Sequence, residues 1–379
     1  MNAPPRLAER PARREYPRIL KWFTPRDIDM NVHRALIPES VAWRSVEDGG
    51  AIDGKEGLAF HLDGNHRAAL DDLVARLRDI PVEQITREQF DHPLLNVFFN
   101  RISHEISHGR GVAIIKGCDP ERYSDQELAC VFWGVGLHLG VALPQTAAGD
   151  LIDHIRDLAY NPTGRERPRA QYSREELFLH TDNASGEILG LMTLRQAKSE
   201  GRSRVASSLA VHNEIFRNRP DLLEPLYRGF PYHRKGRQPP GESNVAPFNT
   251  PVFCEVEGLV SCRYVRDFMT LAAEEMGVAM PADLVEALDY FDTIKLRDST
   301  GIHFMLERGE MLFLNNLTSL HARTAFEDYE EADRKRHLLR LWLKGSPYSR
   351  PFDPRMNMFW GSKIDHAAES ERALATVNN

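Results

Sequence analysis

The stretch Leu177-Phe-Leu-His180-Thr-Asp182 constrains the fold more than any other part of the chain. An apolar run of strand type leads directly into an imidazole and a carboxylate that are two residues apart. In an extended strand, side chains two residues apart point to the same face. His180 and Asp182 can therefore reach one ion together, although a tripeptide of this kind also recurs by chance at polar strand ends. A 2-His-1-carboxylate iron site needs one further, distant histidine.

His321 offers this third ligand. The segment 309–321 is predicted to be a strand that ends in a turn, with His321 just after it. Because the two halves of the site are far apart in the chain, we expect them to come from opposite sheets. Arg336 and Arg340 follow on one face of an apolar strand, where two guanidinium groups are costly unless anions meet them. An alternative is that these arginines lie on the surface or pair with the acidic residues of the segment 327–333.

Hydrophobic periodicity places helices mostly before short strands. Helices are predicted at 67–79, 93–108, 125–139, 210–216, 268–276 and 282–291. Strands are predicted at 111–116, 188–194, 204–209, 251–255, 259–264, 302–306, 311–315 and 337–343. This order predicts an α+β fold with a mainly β core, a two-sheet jelly roll with flanking helices. We expect an irregular N-terminal extension at 1–60, one domain at 61–350 and a C-terminal tail at 351–379.

Composition narrows the partners that the chain can have. Its 379 residues are 42% hydrophobic and 27% charged, with a formal net charge of −7, so nothing indicates nucleic acid. No apolar run is long enough to span a membrane, and the Pro- and Arg-rich start lacks the apolar core of a secretory signal. The four cysteines form no Cys-x-x-Cys pair, which indicates reduced thiols in a cytoplasmic protein.

Taken together, these motifs resemble the TauD/TfdA-like family of iron(II)- and 2-oxoglutarate-dependent dioxygenases. The similarity is carried by His180-Thr-Asp182, by the segments 206–214 and 313–326, and by Arg336-His-Leu-Leu-Arg340-Leu-Trp-Leu. It covers about residues 95–345. The resemblance implies a double-stranded β-helix in which His180, Asp182 and His321 hold Fe(II). It also implies O2 and 2-oxoglutarate as cosubstrates, and a homo-oligomer is possible because family members often pair.

The resemblance also suggests which residues bind the organic ligands. Arg336 matches the arginine that grips the far carboxylate of 2-oxoglutarate, a bidentate task suited to a planar guanidinium. Arg340 matches a position that often meets an acidic group of the primary substrate, and Gln145 and Arg323 are further candidates for substrate binding. The chain departs from the family where a threonine contacts 2-oxoglutarate. Arg204 stands near that position, and Ser207 is a candidate substitute.

The implied reaction is hydroxylation, or alternatively desaturation, of a small anionic or zwitterionic metabolite, with release of succinate and CO2. Two other functions compete with it. His104-Glu105-Ile-Ser-His108 satisfies the His-Glu-x-x-His pattern of zinc metallopeptidases. The apolar stripe of its helix, however, puts both histidines on the solvated side. The second alternative is a jelly-roll binding module without a metal, which the intact ligand trio and Arg336 disfavour.

Overall fold

The computed structural model describes residues 30–145, 149–157, 172–182, 186–236, 238, 241–345 and 349–357. Its helices are α1 (Gly64–Leu77), α2 (Pro93–His108), α3 (Asp125–Leu139), α4 (Ser208–Asn218), α5 (Leu223–Arg228), α6 (Arg266–Met276) and α7 (Ala282–Lys295). The first strands are β1 (Ala59–His61), β2 (Val112–Lys116), β3 (Val141–Ala142), β4 (Asp153–Ile155), β5 (Leu177–His180), β6 (Ile188–Arg195), β7 (Ser199–Glu200), β8 (Ser203–Ser207) and β9 (Phe230–His233). The later strands are β10 (Val245–Thr250), β11 (Phe253–Val256), β12 (Leu259–Cys262), β13 (Ile302–Phe304), β14 (Met311–Asn315), β15 (Ser319–Arg323), β16 (Phe326–Glu327) and β17 (His337–Lys344).

Two sheets pack face to face. The larger sheet has the order β1-β2-β14-β6-β17-β3, with β4 also paired to β17, and the smaller has the order β13-β8-β15-β5. Apart from the parallel pair β1–β2, the ladders of both sheets are antiparallel. Leu189 and Leu314 of the larger sheet share one apolar cluster with Val205 and Phe304 of the smaller. The space between the sheets is therefore a core, and the site lies at one end of it.

Helices cover the outer faces of both sheets. Leu73 of α1, Phe99 of α2 and Val131 of α3 belong to the same buried cluster as Leu341 of β17. On the other side, Phe291 of α7 and the helices near it pack against the outer face of the smaller sheet. Alternate residues of β17 face α3, and the residues between them point inward, between the sheets. Arg340 is one of the inward residues, as the alternation along the strand predicts.

Periodicity predicted the longer elements well. The helices at 93–108 and 125–139 and the strand at 311–315 have the predicted bounds, and a sheet-rich core with flanking helices is confirmed. The prediction missed α5, the pair β9–β10, and β15, so that the turn expected before His321 in fact connects β14 of the larger sheet to β15 of the smaller sheet. Of the expected N-terminal extension and C-terminal tail, residues 1–29 and 358–379 lie outside the described residues. Within the described part, no helix has the length and apolar character needed to cross a membrane.

Candidate metal centre and cosubstrate cavity

The two histidines of the predicted trio are cross-strand neighbours. His180 ends β5, and His321 lies directly opposite it in the antiparallel β5–β15 ladder. Their ring centroids are 4.4 Å apart. The expectation that the two halves of the site come from opposite sheets is therefore wrong. Strand β15 pairs with β5 within the smaller sheet, so two residues that are far apart in the chain become direct neighbours in the ladder.

Asp182 completes the cluster from the segment just after β5. Its Oδ1 lies 3.8 Å from Nε2 of His180 and 3.7 Å from Nε2 of His321. One ligand atom from each of the three side chains lies within 4.8 Å of the others. Two imidazole nitrogens and one carboxylate oxygen on one side of an ion form the donor set of non-haem Fe(II) oxygenases. The residues present therefore fit a ferrous ion.

The protonation state of His180 also suits metal binding. Nδ1 of His180 lies 2.7 Å from the carbonyl oxygen of Phe178, which can only accept, so Nδ1 carries the proton and Nε2 keeps its lone pair. Burial and then the neighbouring His321 lower the pKa of His180 to about 4, which keeps its ring neutral. Burial alone would raise the pKa of Asp182, but the contact with His321 and the charge of Arg340 hold that pKa well below its usual range.

Asn316 fixes the main chain of Asp182. The side-chain oxygen of Asn316 accepts from the backbone N–H of Asp182 at 2.7 Å, and its amide donates to the carbonyl oxygen of the same residue at 2.8 Å. The buried guanidinium of Arg263 donates to that carbonyl as well. The ligand residue thus sits on a rigid backbone, although it lies beyond the end of a strand. Neither supporting residue was named from the sequence.

A cavity of about 120 Å³ opens beside the trio. Leu189, Leu191 and Leu338 form part of its apolar wall, and all three ligand residues border it. The polar remainder of the lining consists of one hydroxyl group and three guanidinium groups, which belong to Ser203, Arg323, Arg336 and Arg340. A site with apolar walls and few, convergent polar groups is typical of a small-molecule site.

Of the three cavity arginines, Arg336 has the fewest polar partners for its guanidinium group among the described residues. Its residue is 7% exposed, and no carboxylate of the described residues lies within ion-pair distance of its guanidinium. Asp328 accepts a hydrogen bond from the backbone N–H of Arg336, at 2.8 Å, and not from its guanidinium group. Burial, and then the charge of Arg323, lower the pKa of Arg336 to about 9. Such a desolvated guanidinium is a ready site for a carboxylate.

Arg340, in contrast, already has an anionic partner. Its guanidinium donates to Oδ2 of Asp153 at 2.7 Å and to the side-chain oxygen of Gln145 at 2.9 Å. Gln145 also donates to the backbone carbonyl of Arg340 and is not part of the cavity lining. The acid that compensates Arg340 thus lies on β4 and not in the segment 327–333. Gln145 supports Arg340 and does not face the cavity.

Two predicted cosubstrate residues lie elsewhere. Arg204 donates to the carbonyl oxygens of Arg297 and Thr300, on the face of β8 opposite to that of Ser203. The hydroxyl group of Ser207 caps the N-terminus of α4 and is likewise absent from the cavity lining. The structure therefore brings neither residue into the cavity. Ser203, which was not predicted from the sequence, is the serine that lines it, opposite Arg323 in the β8–β15 ladder.

The metallopeptidase motif gathers no set of three metal ligands among the described residues. Both histidines are exposed on α2, and Glu105 forms an ion pair with Arg110. In the part of the chain that the structure describes, the one group of three candidate ligands at metal-binding distance is the trio around Asp182. The peptidase alternative is therefore not favoured.

The chain is similar in sequence to one family of dioxygenases and to two known proteins. A family model described as "Taurine catabolism dioxygenase TauD, TfdA family" matches residues 67–342. The chain is 29% identical over 313 residues to FR-33289 synthase of Streptomyces rubellomurinus (strain ATCC 31215), which covers 81% of this chain and 91% of that protein. It is 26% identical over 365 residues to the taurine hydroxylase-like protein SAT17 of Stachybotrys chartarum (strain CBS 109288 / IBT 7711), with 92% and 91% covered.

Solved structures share the fold at low sequence identity. An asparagine oxygenase in complex with Fe(II), 2S,3S-3-hydroxyasparagine and succinate superposes with a TM-score of 0.58 at 16% identity, covering 76% of this chain and 93% of that one. The non-haem iron oxygenase OrfP, in complex with Fe, succinate and (3S)-hydroxy-L-Arg, gives a TM-score of 0.56 at 13% identity, covering 78% and 99%. Both of these solved proteins are oxygenases.

Proposed function

The chain belongs to the taurine catabolism dioxygenase TauD/TfdA family, and on that premise we propose that it hydroxylates a small anionic or zwitterionic metabolite. Family membership confirms the enzyme class, an oxygenase that uses non-haem iron and 2-oxoglutarate. The convergence of His180, Asp182 and His321 within 4.8 Å carries the assignment of Fe(II) to these three residues. We also propose that the two facing sheets are those of the predicted double-stranded β-helix.

When bound, iron and 2-oxoglutarate together supply an oxidant that inserts one oxygen atom of O2 into a C–H bond and yields succinate and CO2. Within the chain, Arg336 binds the far carboxylate of 2-oxoglutarate and gains the anion that the described residues do not offer it. Ser203 lines the same cavity and takes the hydroxyl contact that the family threonine makes. Leu189, Leu191 and Leu338 keep water from the reacting carbon.

The charges of the cavity support an anionic group on the primary substrate. Arg340 is balanced by Asp153, and Arg336 is balanced once 2-oxoglutarate is bound. Arg323 donates to the carbonyl oxygens of Thr324 and Glu175, and no carboxylate within the described ranges forms an ion pair with it. Its positive charge is thus left over, beside a cavity with an apolar wall. An uncompensated buried cation favours a ligand that brings a negative charge.

The test is a metabolite screen that measures succinate. The protein is incubated with Fe(II), 2-oxoglutarate, O2 and matched sets of anionic, zwitterionic and cationic small molecules. We expect anionic or zwitterionic compounds to raise succinate formation above the uncoupled background, and the product to gain one oxygen atom. Stimulation by cationic compounds alone would contradict the proposed substrate class. If no succinate forms in any of these mixtures, with or without an added compound, the proposed chemistry itself is wrong.

A further inference from the structure

The two carboxylate oxygens of Asp182 have different surroundings. Oδ1 lies 3.8 Å and 3.7 Å from Nε2 of the two histidines. Oδ2 accepts a hydrogen bond from the indole Nε1 of Trp342 at 2.6 Å and lies 3.8 Å from Nη1 of Arg340. Oδ1 therefore faces the other ligand atoms, whereas Oδ2 accepts one hydrogen bond, from Trp342, and lies near the charge of Arg340, both from the opposite sheet. Trp342 was not singled out from the sequence.

The indole of Trp342 has little freedom to move. The residue is 8% exposed within the core between the sheets. The guanidinium of Arg340 lies over its ring, 4.4 Å from the centroid. The backbone of Gly186 passes so close that a Cβ at position 186 would lie 3.1 Å from Cβ of Trp342. Packing on these sides restricts the orientation of the indole ring. In this orientation the N–H group points at Oδ2 of Asp182.

We infer that Trp342 is a positioning residue that keeps Asp182 bound to the metal through Oδ1 alone. This inference rests on the proposed function, because it concerns the same metal centre. A carboxylate that binds through both oxygens occupies one more coordination position than a carboxylate that binds through one. A 2-His-1-carboxylate centre works because its remaining positions stay open for other ligands. The hydrogen bond from Trp342 therefore keeps a position available that Oδ2 would otherwise take.

The chain provides a matched control for this role. Trp133 is also buried, and its Nε1 donates one hydrogen bond to a backbone carbonyl, that of Ile85, at 2.9 Å. Trp342→Phe and Trp133→Phe both replace a buried indole by a phenyl ring and so remove its N–H donor, one beside the metal ligands and one within the helical layer. Any general effect of losing a buried indole donor appears in both variants. An effect on the metal centre appears in Trp342→Phe alone.

The experiment loads each purified protein with Co(II), whose visible absorption weakens as its coordination number rises, and then titrates 2-oxoglutarate. In Trp342→Phe we expect weaker Co(II) absorption and an approximately tenfold higher dissociation constant for 2-oxoglutarate, the lower end of the effects seen when partners of metal ligands are removed. Trp133→Phe should match the unchanged protein in both measurements. If Trp342→Phe does not fold, a benzothiophene ring in place of the Trp342 indole keeps the shape and still removes the N–H.

The outcomes separate this inference from the proposed function. Identical Co(II) spectra and 2-oxoglutarate affinities in Trp342→Phe and in the unchanged protein would overturn the role of Trp342, while the metal site stands. A Co(II) spectrum that does not change in His180→Ala would instead refute the metal centre itself. Weakened binding to an equal extent in both tryptophan variants would show a general packing effect, and it too would overturn the positioning role.

Discussion

Among single residues, Arg336 is notable because its buried guanidinium group has no anionic partner among the described residues. Its pKa is lowered to about 9 by burial and by Arg323. Arg336→Ala is expected to raise the KM for 2-oxoglutarate, since losing a desolvated charge pair costs about 2–5 kcal/mol. The lower value corresponds to roughly a 30-fold change.

Arg204→Ala is the control for that measurement. Its guanidinium is bound to backbone carbonyls away from the cavity, so its loss should leave the KM for 2-oxoglutarate unchanged. Steady-state succinate formation at varied 2-oxoglutarate concentration gives both constants. An unaltered KM in Arg336→Ala would remove this arginine from cosubstrate binding.

The residues that could be named from the sequence are those whose chemistry is carried by type and spacing. His180, Asp182, His321 and Arg336 belong to this group. Asp153 could not be named, because its pairing with Arg340 depends on the register of β4 against β17. Trp342 shares the strand face of Arg336 and Arg340, so a signal for it was present in the alternation. Its target, Oδ2 of Asp182, lies in the segment after β5, and the contact between them could not be predicted from the sequence.

At the scale of elements, Ser207 links strand β8 to helix α4. Its hydroxyl group accepts from the backbone N–H of Ala210, as an N-cap does. Ser207→Ala is expected to lower the free energy of unfolding by about 1 kcal/mol, the usual cost of a lost cap. Urea unfolding measures that change. The KM for 2-oxoglutarate should stay the same, and a raised KM with unchanged stability would restore the cosubstrate role that was predicted for Ser207.

A histidine pair joins β4 to β17 near the cavity. His154 and His337 stack, with Nδ1 of the first 2.8 Å from Nε2 of the second. Arg156 and Arg195 both donate to Nδ1 of His337, so this nitrogen accepts and the proton lies on Nε2. Burial, and then the charges of Arg156 and its neighbours, lower the pKa of His337 to about 3. The pair therefore holds β4 in place as neutral rings.

The lowered pKa of His337 predicts acid sensitivity. Below its ordinary pKa of 6.5 the unfolded chain binds a proton at this histidine, whereas the folded chain does so only near pH 3. The stabilisation is therefore complete above about pH 6.5 and is lost progressively as the pH falls towards 3. Urea midpoints measured from pH 7 to pH 4 should fall less steeply for His337→Gln than for the unchanged protein. Equal slopes would show that His337 is not the group that titrates.

At the scale of elements, periodicity predicted the amphipathic helices but failed for short strands. Strand β15 has five residues and follows a tight turn after β14, too short for alternation to separate it from a loop. Its identification as a strand comes from the ladders to β5 and β8. These contacts join distant parts of the chain, which no local pattern reports.

In the whole molecule, each of the two sheets contributes different residues to the site. The smaller sheet supplies the two histidines from adjacent strands, and the segment after β5 supplies Asp182. The larger sheet supplies Arg340 and Trp342, which face Asp182 across the core, and Arg336 precedes the same strand. The sequence predicted that distant segments meet, but it predicted the wrong sheets, because strand order depends on the packing of the complete domain.

The central claim is that Asp182 and the two histidines hold one ferrous ion beside the 2-oxoglutarate site. The most direct measurement is visible absorption after anaerobic addition of Fe(II) and 2-oxoglutarate to the protein. We expect a weak metal-to-ligand charge-transfer band that is absent in Asp182→Ala. The band should be retained in Asp71→Ala, because the carboxylate of Asp71 pairs with Arg122 away from the trio. A band of unchanged position and intensity in Asp182→Ala would show that Asp182 does not hold the iron.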